Sequence, residues 1–322
     1  MTIDGLKTYL QNPKQIFVGM GAKGWLNWIP DEQYLKIAYS LRFGKTLNLD
    51  APMTFNEKTQ WLKLYNRNPL YTKLVDKYKV RKYIAEEIGE QYLIPLVGGP
   101  WKSFDEIDFD NLPNQYVLKC NHDSGGLVIC RDKSKIDKAA VREKIERCLQ
   151  QNYYFHGREW AYRNVPPQII AEKYMADGTD AQNELTDYKL FSFAGKVQLV
   201  QVDYNRFTDH HRNFYSREWE YLPFTTCYPT NINHTIPRPS CLKELIDIGE
   251  KLSNSVGAPP FLRVDMYLIS GQIYFGELTL YHGGGFEKFD PPEWDAILGS
   301  WLELPEKPKQ SNAMHSAKAI KK

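Results

Sequence analysis

Along residues 1–75 the apolar positions fall three and four apart. Leu35, Ala38, Tyr39 and the pair Arg42-Phe43 recur at helical spacing, and Thr54-Phe55-Asn56-Glu57 opens a second helix through Trp61, Leu62 and Leu64. Thr54 with Glu57 three residues later is a capping-box pattern, in which hydroxyl and carboxylate satisfy free N–H groups of the first turn. A third helix is expected from Leu74 to about Ile88, stopped by Gly89, with a short strand at Tyr92-Leu93-Ile94-Pro95 behind it. From about Gln115 the pattern changes. Tyr116 to Cys120 reads as a strand, Asn121 to Gly126 as a tight loop and Leu127 to Cys130 as the returning strand. A polar helix follows, roughly Lys138 to Gln150, then an apolar strand from Gln168 to Tyr174. Tyr188–Phe193 and Val197–Val202 flank the hairpin turn Ala194-Gly195, while Asn205 to Pro239 reads mostly as loop. Leu242 to Ser255 is a helix with Leu245, Ile248, Gly249 and Leu252 on one face, and Phe261–Ile269 and Gln272–Leu280 form a last hairpin around Ser270-Gly271. Antiparallel ribbons with helices and no repeated βαβ unit make an α+β protein.

Composition narrows the class. The 322 residues suffice for two lobes and a large core, and 42% hydrophobic with 25% charged residues excludes general disorder. With 41 Lys+Arg against 39 Asp+Glu there is no bulk attraction to nucleic acid, so no nucleic-acid partner is expected. No run of about 20 apolar residues exists to span a bilayer, and the start, MTIDGLKTYLQNPKQ, has no apolar segment behind basic residues. Five scattered cysteines without a CxxC pair suit reduced thiols in a cytoplasm, with Cys120 and Cys130, which flank the loop, read as packing residues. Trp25 and Trp28 with Lys14 and Lys23 are residue types of a membrane interface, but Gly19, Gly21 and Gly24 interrupt an amphipathic helix and favour packing on the core. The polar, basic tail, 306–322, reads as disordered.

Three clusters carry candidate chemistry. In the last hairpin, alternation puts Arg263 with Asp265 on one face and Glu277 with Thr279 on one face of the partner strand, and the turn brings Asp265 near Glu277. Paired carboxylates repel unless a cation sits between them; Mg²⁺ prefers such oxygens and holds phosphate as well. The bland alternative is a solvated face. Lys119 followed by Asn121-His122-Asp123-Ser124-Gly125-Gly126 is a lysine ending a strand before a small-residue loop, suited to wrapping N–H groups round phosphate, though glycine hairpin loops are common. Gly283-Gly284-Gly285, directly after Tyr281-His282, suggests a backbone cradle near a metal. The histidines give no zinc pattern, and no GxSxG elbow is present.

In order, these pieces resemble the ATP-grasp superfamily, most closely its TupA-like branch from bacterial surface-polysaccharide gene clusters. The resemblance runs from about Thr54 to Pro305. It rests on Val75-Asp76-Lys77-Tyr78-Lys79-Val80-Arg81, Val117-Leu118-Lys119 with the glycine loop, and Ile169 to Tyr174. Asp187-Tyr188-Lys189, Arg263-Val264-Asp265 and Phe275-Gly276-Glu277-Leu278-Thr279 complete it. It implies two α+β lobes with antiparallel sheets clamping ATP, preceded by a helical region. The expected divisions are 1–75 helical, 76–175 first lobe with the glycine-loop lid, and 176–305 second lobe with the metal site. It further implies that Lys77, Lys119 and the loop residues Asn121, Ser124, Gly125 and Gly126 contact phosphates. Glu172, Lys173 and Tyr174 would read adenine, and Asp187 the ribose. Asp265, Glu277 and Thr279 would hold Mg²⁺, Arg263 would lie over the transferring phosphate, and Lys189 and Arg206 would stand on the substrate side. Many ATP-grasp ligases carry Glu-x-Asn where this chain has Glu277-Leu278-Thr279, and a hydroxyl is a poorer Mg²⁺ ligand than an amide oxygen.

The expected activity is an ATP-dependent carboxylate–amine ligase working through an acyl-phosphate. Its expected partners are a uronic acid of a surface glycan, free or as a sugar-nucleotide or lipid-linked intermediate, and an amino acid or other amine. Cytoplasmic location, at or near the inner membrane face, follows from that role. The rival is a nucleotide-sugar glycosyltransferase, whose DxD metal motif is matched in letters by Asp108-Phe109-Asp110 in an acidic loop. A nucleotide-binding protein without activity is a third reading, against which the retained Lys119, Asp265 and Glu277 argue.

Overall fold

The computed structural model describes residues 13–176, 185–206, 208–233 and 236–308. Of the expected tail, residues 309–322 lie outside the described residues.

Helices α1 (Pro13–Ala22), α2 (Asp31–Phe43) and α3 (Phe55–Tyr65) open the chain. The capping box at α3 is present in both directions, Glu57 N–H to Thr54 Oγ1 at 3.2 Å and Thr54 N–H to Glu57 Oε2 at 3.2 Å. The expected third helix starts later than Leu74, as α5 (Val80–Glu87), and a short helix not expected there, α4 (Leu70–Leu74), precedes it. Between them Asp76 Oδ1 accepts from the N–H groups of Tyr78 and Lys79 at 3.0 and 3.1 Å, a local turn that competes with the helix. The following strand lies later than expected, at β1 (Leu96–Trp101), through Gly98-Gly99-Pro100. It is an edge strand with two register shifts, where a proline costs no ladder bond, so its sequence carries no alternation.

Strands β2 (Tyr116–Cys120), β3 (Leu127–Cys130) and β4 (Ile169–Lys173) join β1 in a four-stranded antiparallel sheet of order β1-β4-β2-β3. Helix α6 (Lys138–Leu149) covers it, and Phe104, Leu112, Tyr116, Leu118, Val141 and Ile145 form a core of its own. After the short α7 (Tyr154–Gly157) comes the larger sheet. It contains β5 (Asp187–Phe193), β6 (Lys196–Tyr204), β7 (His211–Ser216), β8 (Tyr221–Leu222), β9 (Leu262–Ile269) and β10 (Gln272–Thr279), in the order β10-β9-β5-β6-β7-β8. β7 and β8 fall where mostly loop was expected, because His211-Arg212-Asn213 buries polar groups and shows no apolar alternation.

Helix α8 (Leu242–Ser255) buries the predicted Leu245, Ile248, Gly249 and Leu252. A Cβ at Gly249 would stand 3.0 Å from Leu190 and 3.2 Å from Val197, so glycine lets the helix press onto β5 and β6. The face of β5 bearing Leu190 is thereby closed, and the face bearing Asp187 and Lys189 is left for the cleft. Helix α9 (Glu293–Trp301), not expected from the sequence, lies on the start of α3. Helices α2–α4 share one apolar core with the larger sheet, Leu35, Phe55, Trp61 and Leu74 meeting Phe191, Phe261 and Leu298. In the first segment Leu26 is buried and Phe17, Met20 and Ile29 pack on that core, but Trp25 and Trp28 stand 62% and 79% exposed.

Candidate active site

The β9–β10 hairpin forms the floor of a cleft between the sheets. Its turn pairs Gln272 with Ile269, and an unbroken ladder would then set Gly276 against Asp265 and turn Glu277 to the other face. A bulge between Phe275 and Glu277 makes Gly276 the extra residue, so Glu277 stands opposite Asp265 and Thr279 opposite Arg263. A Cβ on Gly276 would come within 3.1 Å of both the Asp265 carbonyl oxygen and the Tyr267 ring, tighter than ordinary contact. Pairing continues the charged row across the sheet: Lys189 opposite Asp265, Asp187 opposite Asp203, Asp203 opposite Arg212. Arg263, Asp265, Lys189 and Asp187 are all buried, so the solvated-face alternative does not hold.

Arg263 organises the floor. Its Nε and Nη2 donate to the two Asp265 oxygens, each at 2.6 Å, and Nη2 also reaches Glu277 Oε1 at 3.1 Å. Its Nη1 lies 2.9 Å from His282 Nδ1, and His282 Nε2 lies 3.1 Å from Glu287 Oε2. Burial lowers the His282 pKa and keeps the ring neutral, so Nδ1 accepts from the guanidinium and Nε2–H donates to Glu287. His282 thus anchors the arginine. Lys189 donates to Asp265 Oδ2 at 2.8 Å and to Asp187, and Arg206 Nη1 reaches Asp187 Oδ2 at 3.1 Å. Asp187 Oδ1 is buried without a partner among the described residues. Burial alone would raise the Asp265 carboxyl, but Arg263 and Lys189 outweigh it and lower it to about 2.

The smaller sheet supplies the facing wall. Lys119, on β2, lies 2.5 Å from Glu172 Oε2 on β4, and Arg81 Nη1 holds the other Glu172 oxygen at 3.1 Å. Lys77 Nζ donates to the Asp123 carbonyl of the glycine loop and stands 3.9 Å from Glu277 Oε2, linking both walls. Ser124, Gly125 and Gly126 line the cleft, as do Arg206, Tyr267 and Phe275. A second, more apolar recess adjoins it, with Ile94, Val117, Ile129, Lys173, Tyr174, Met175 and Leu185 around the shared Lys119, Glu172 and Arg206.

Three expected contacts are not brought to the cleft, the first being Arg263, which is buried beneath Asp265 and Glu277 and does not line it. Asn121 is fully buried, donating to Asp76 Oδ1 at 2.9 Å and Pro166 O at 3.1 Å and accepting from the Gln168 N–H at 2.7 Å, so its side chain braces the loop. The Thr279 hydroxyl donates to Glu277 Oε1 at 3.1 Å and does not line the cleft; it orients the carboxylate. Cys120 meets Cys148, not Cys130: the two sulfurs and the Asp123 carboxylate lie within 4.8 Å of one another. Burial pushes both thiols up, Cys148 to about 11, which keeps them protonated. Arg81, Tyr267 and Phe275 were not singled out as site residues in the sequence; only Arg81 carries a signal there, one helical turn beyond Lys77.

For Mg²⁺ the donor set fits. Asp265 and Glu277 present hard oxygens at one ladder position, with the charge of Arg263 and Lys189 against Asp265. Two carboxylates leave most of the coordination open, as Mg²⁺ requires when phosphate oxygens and water complete it.

The model of the family described as TupA-like ATPgrasp matches residues 57–303. The chain belongs to that family. Its fold is accordingly the ATP-grasp arrangement of two α+β lobes, with the cleft at their junction. Among solved structures it is similar to D-alanine–D-alanine ligase from Bacillus anthracis complexed with ATP, at 15% identity and TM-score 0.39 over 64% of this chain and 53% of that one. L-amino acid ligase from Bacillus licheniformis gives 14% and 0.46 over 87% and 64%. D-alanine–D-alanine ligase from Helicobacter pylori gives 11% and 0.43 over 80% and 68%. The chain therefore spans about half the length of the B. anthracis enzyme. No curated protein matches the sequence.

Proposed function

We propose that the chain is an ATP-dependent carboxylate–amine ligase that joins an amine to a uronic acid carboxylate of a bacterial surface polysaccharide, through an acyl-phosphate. The observation that carries this reading is the bulged ladder that sets Glu277 beside Asp265 on the cleft floor, facing Lys77, Lys119 and the glycine loop. In this reading the apolar recess takes the adenine. The Lys173 N–H is already donated to Pro95 O at 2.9 Å, so base readout falls to the Lys173 carbonyl and the Tyr174 N–H. The partnerless Asp187 Oδ1 suits a ribose hydroxyl. Lys77, Lys119 and the N–H groups of Ser124 to Gly126 would take the phosphates. Asp265 and Glu277 would hold Mg²⁺, which when bound neutralises the phosphate oxygens during transfer.

The substrate carboxylate attacks the γ-phosphorus and ADP leaves; the acyl-phosphate carbon then accepts the amine and releases phosphate. Arg263, fixed by His282, would act through Asp265 and Glu277, holding both carboxylates oriented for the transfer. The loop Ser124–Gly126, tied down through Lys77, would shield the acyl-phosphate from water. Lys189, between Asp187 and Asp265, and Arg206, on Asp187, hold these carboxylates within the cleft lining.

Among the described residues no helix is long and apolar enough to cross a membrane. Exposed Trp25 and Trp28, with Lys23 stacked 4.8 Å over Trp25, suit peripheral contact with the inner membrane face where lipid-linked glycans are assembled. The glycosyltransferase reading loses its metal motif: Phe109 is buried in the small core, Asp108 Oδ1 accepts from the Asp110 and Asn111 N–H groups, and neither aspartate lines the cleft.

A thermal-shift panel of Mg-ATP, Mg-ADP and sugar nucleotides against wild type and Glu277→Gln tests the proposal. Ligands that bind only the folded state raise Tm by mass action. Mg-ATP is expected to stabilise the wild type and to lose most of that effect in the variant. Stabilisation by a sugar nucleotide alone would make the protein a glycosyltransferase.

A further inference from the structure

At the root of the glycine loop stands a cluster to which the nucleotide reading gives no role. Cys120 closes β2, Asp123 follows inside the loop, and Cys148 comes from the last turn of α6. The two sulfurs and a carboxylate oxygen of Asp123 lie within 4.8 Å of one another, with Cys120 and Asp123 buried and Cys148 half-buried. Cys120 and Asp123 keep the spacing at which a turn presents a pair of zinc thiolates, here with a carboxylate in the second place. Around one tetrahedral Zn²⁺, with bonds of about 2.1–2.3 Å, such ligand atoms sit about 3.5–3.8 Å apart. The three atoms therefore need to close by little more than about 1 Å.

Local packing holds the three in place. His122 is buried, and its Nε2–H donates to the Cys148 and Gln151 carbonyl oxygens, both at 3.1 Å, which pins the end of α6 against the loop. The side chain of Asn121, committed to Asp76, Pro166 and Gln168, fixes the backbone between Cys120 and His122. Asp123 folds back over Gly126: a Cβ on that glycine would stand 2.1 Å from Asp123 Oδ2, so the position of the carboxylate requires a residue without one. Among the described residues no lysine or arginine pairs with that carboxylate, and Lys77 takes the Asp123 backbone carbonyl instead. Cys120 and Asp123 also line the cleft, which gives an ion a path from solvent and a water for its fourth position.

We propose that Cys120, Cys148 and Asp123 form a binding site for a thiophilic divalent cation, Zn²⁺, separate from the carboxylate pair Asp265 and Glu277. The donor sets sort the two ions, since oxygens alone suit Mg²⁺ and sulfurs select zinc. Each thiol gives its S–H proton to water and a sulfur lone pair to the ion. One dication then replaces two protons, so the net charge of the buried cluster does not change. Burial that keeps the metal-free thiols protonated also makes them poor nucleophiles, and metal binding suits them better than disulfide exchange. An ion at this place ties the end of α6 to the root of the glycine loop, beside the Asp123 carbonyl that Lys77 holds. The inference stands on thiol chemistry and does not depend on the ligase reading.

Co²⁺, a spectroscopic stand-in for Zn²⁺, tests the site on the full chain, reduced and freed of metal. Wild type is expected to develop a near-ultraviolet sulfur-to-cobalt charge-transfer band that saturates at one equivalent and disappears when Zn²⁺ displaces the cobalt. Cys148→Ser, at a half-buried position, should lose about half of the band per bound ion and bind about tenfold more weakly or worse. Asp123→Asn should keep the band per bound ion and weaken binding, because it removes an oxygen charge and no sulfur. Replacing Cys227 and Cys241 together by serine should change neither band nor affinity. A wild type without a sulfur band would overturn the proposal, as would a band unaltered in Cys148→Ser or one lost with Cys227 and Cys241. Asp123→Asn decides independently of how the cysteine variant folds: undiminished affinity there removes the carboxylate from the site and the proposal with it.

Discussion

Asp265 and Glu277 sit side by side, yet their environments assign them different burdens. Asp265 is buried and holds two buried cations, whereas the Glu277 side chain is one-third exposed towards the cleft. Asp265→Asn leaves Arg263 and Lys189 without their shared counter-charge and should cost about 3–5 kcal/mol. Because its carboxyl is depressed to about 2 in the folded protein, Asp265 stabilises above the unfolded value near 4 and loses that contribution as pH falls towards 2. Acid denaturation followed by circular dichroism should therefore be shallower between about pH 4 and 2 in Asp265→Asn than in wild type. Lys119, Asp265 and Glu277 were readable from the sequence because each ends or faces a strand with a visible pattern. His282 was not, since its partners Arg263 and Glu287 meet it only through the fold.

At the scale of elements, local signals worked where they act through neighbours in sequence. The capping box of α3, the helix α8 and the β5–β6 and β9–β10 hairpins stand where their patterns place them. Helix α9 follows Pro291-Pro292 and is held by tertiary contact, above all at Gly299. A Cβ there would stand 2.3 Å from the Met53 carbonyl oxygen and 2.9 Å from the Phe55 nitrogen, so the two helices touch through backbone. Gly299→Ala should then destabilise by about 1–3 kcal/mol, because rigid backbone cannot yield as a side chain would. A lowered urea midpoint with unchanged slope would be the expected record.

Across the whole molecule the two sheets keep separate cores, the smaller one bounded by Phe104, Tyr116 and Ile145, the larger shared with α2–α4. The cleft runs between them, and Lys77 is a direct tie, from the glycine loop towards Glu277. Amide hydrogen exchange should be faster in β2, β3 and the glycine loop than in β5 and β9, which lie inside the larger sheet. Mg-ATP should slow it selectively in residues 119–127. Protection confined to the larger lobe would show that the nucleotide does not bridge the two.

The sequence by itself determined the α+β class, the order of the hairpins and most of the charged residues lining the cleft, since these depend on short-range periodicity and on residue type. What only the tertiary structure decided is how those residues meet. One extra residue, Gly276, changes the ladder by a single position and so puts Glu277 on the face of Asp265, and strand periodicity alone gives the opposite face. The commitment of Asn121 to Asp76 and Pro166, and of Lys63 to the Gly157 carbonyl, joins segments 45 and 94 positions apart in the chain. Contacts of that span are fixed by packing of the whole, which no local pattern records.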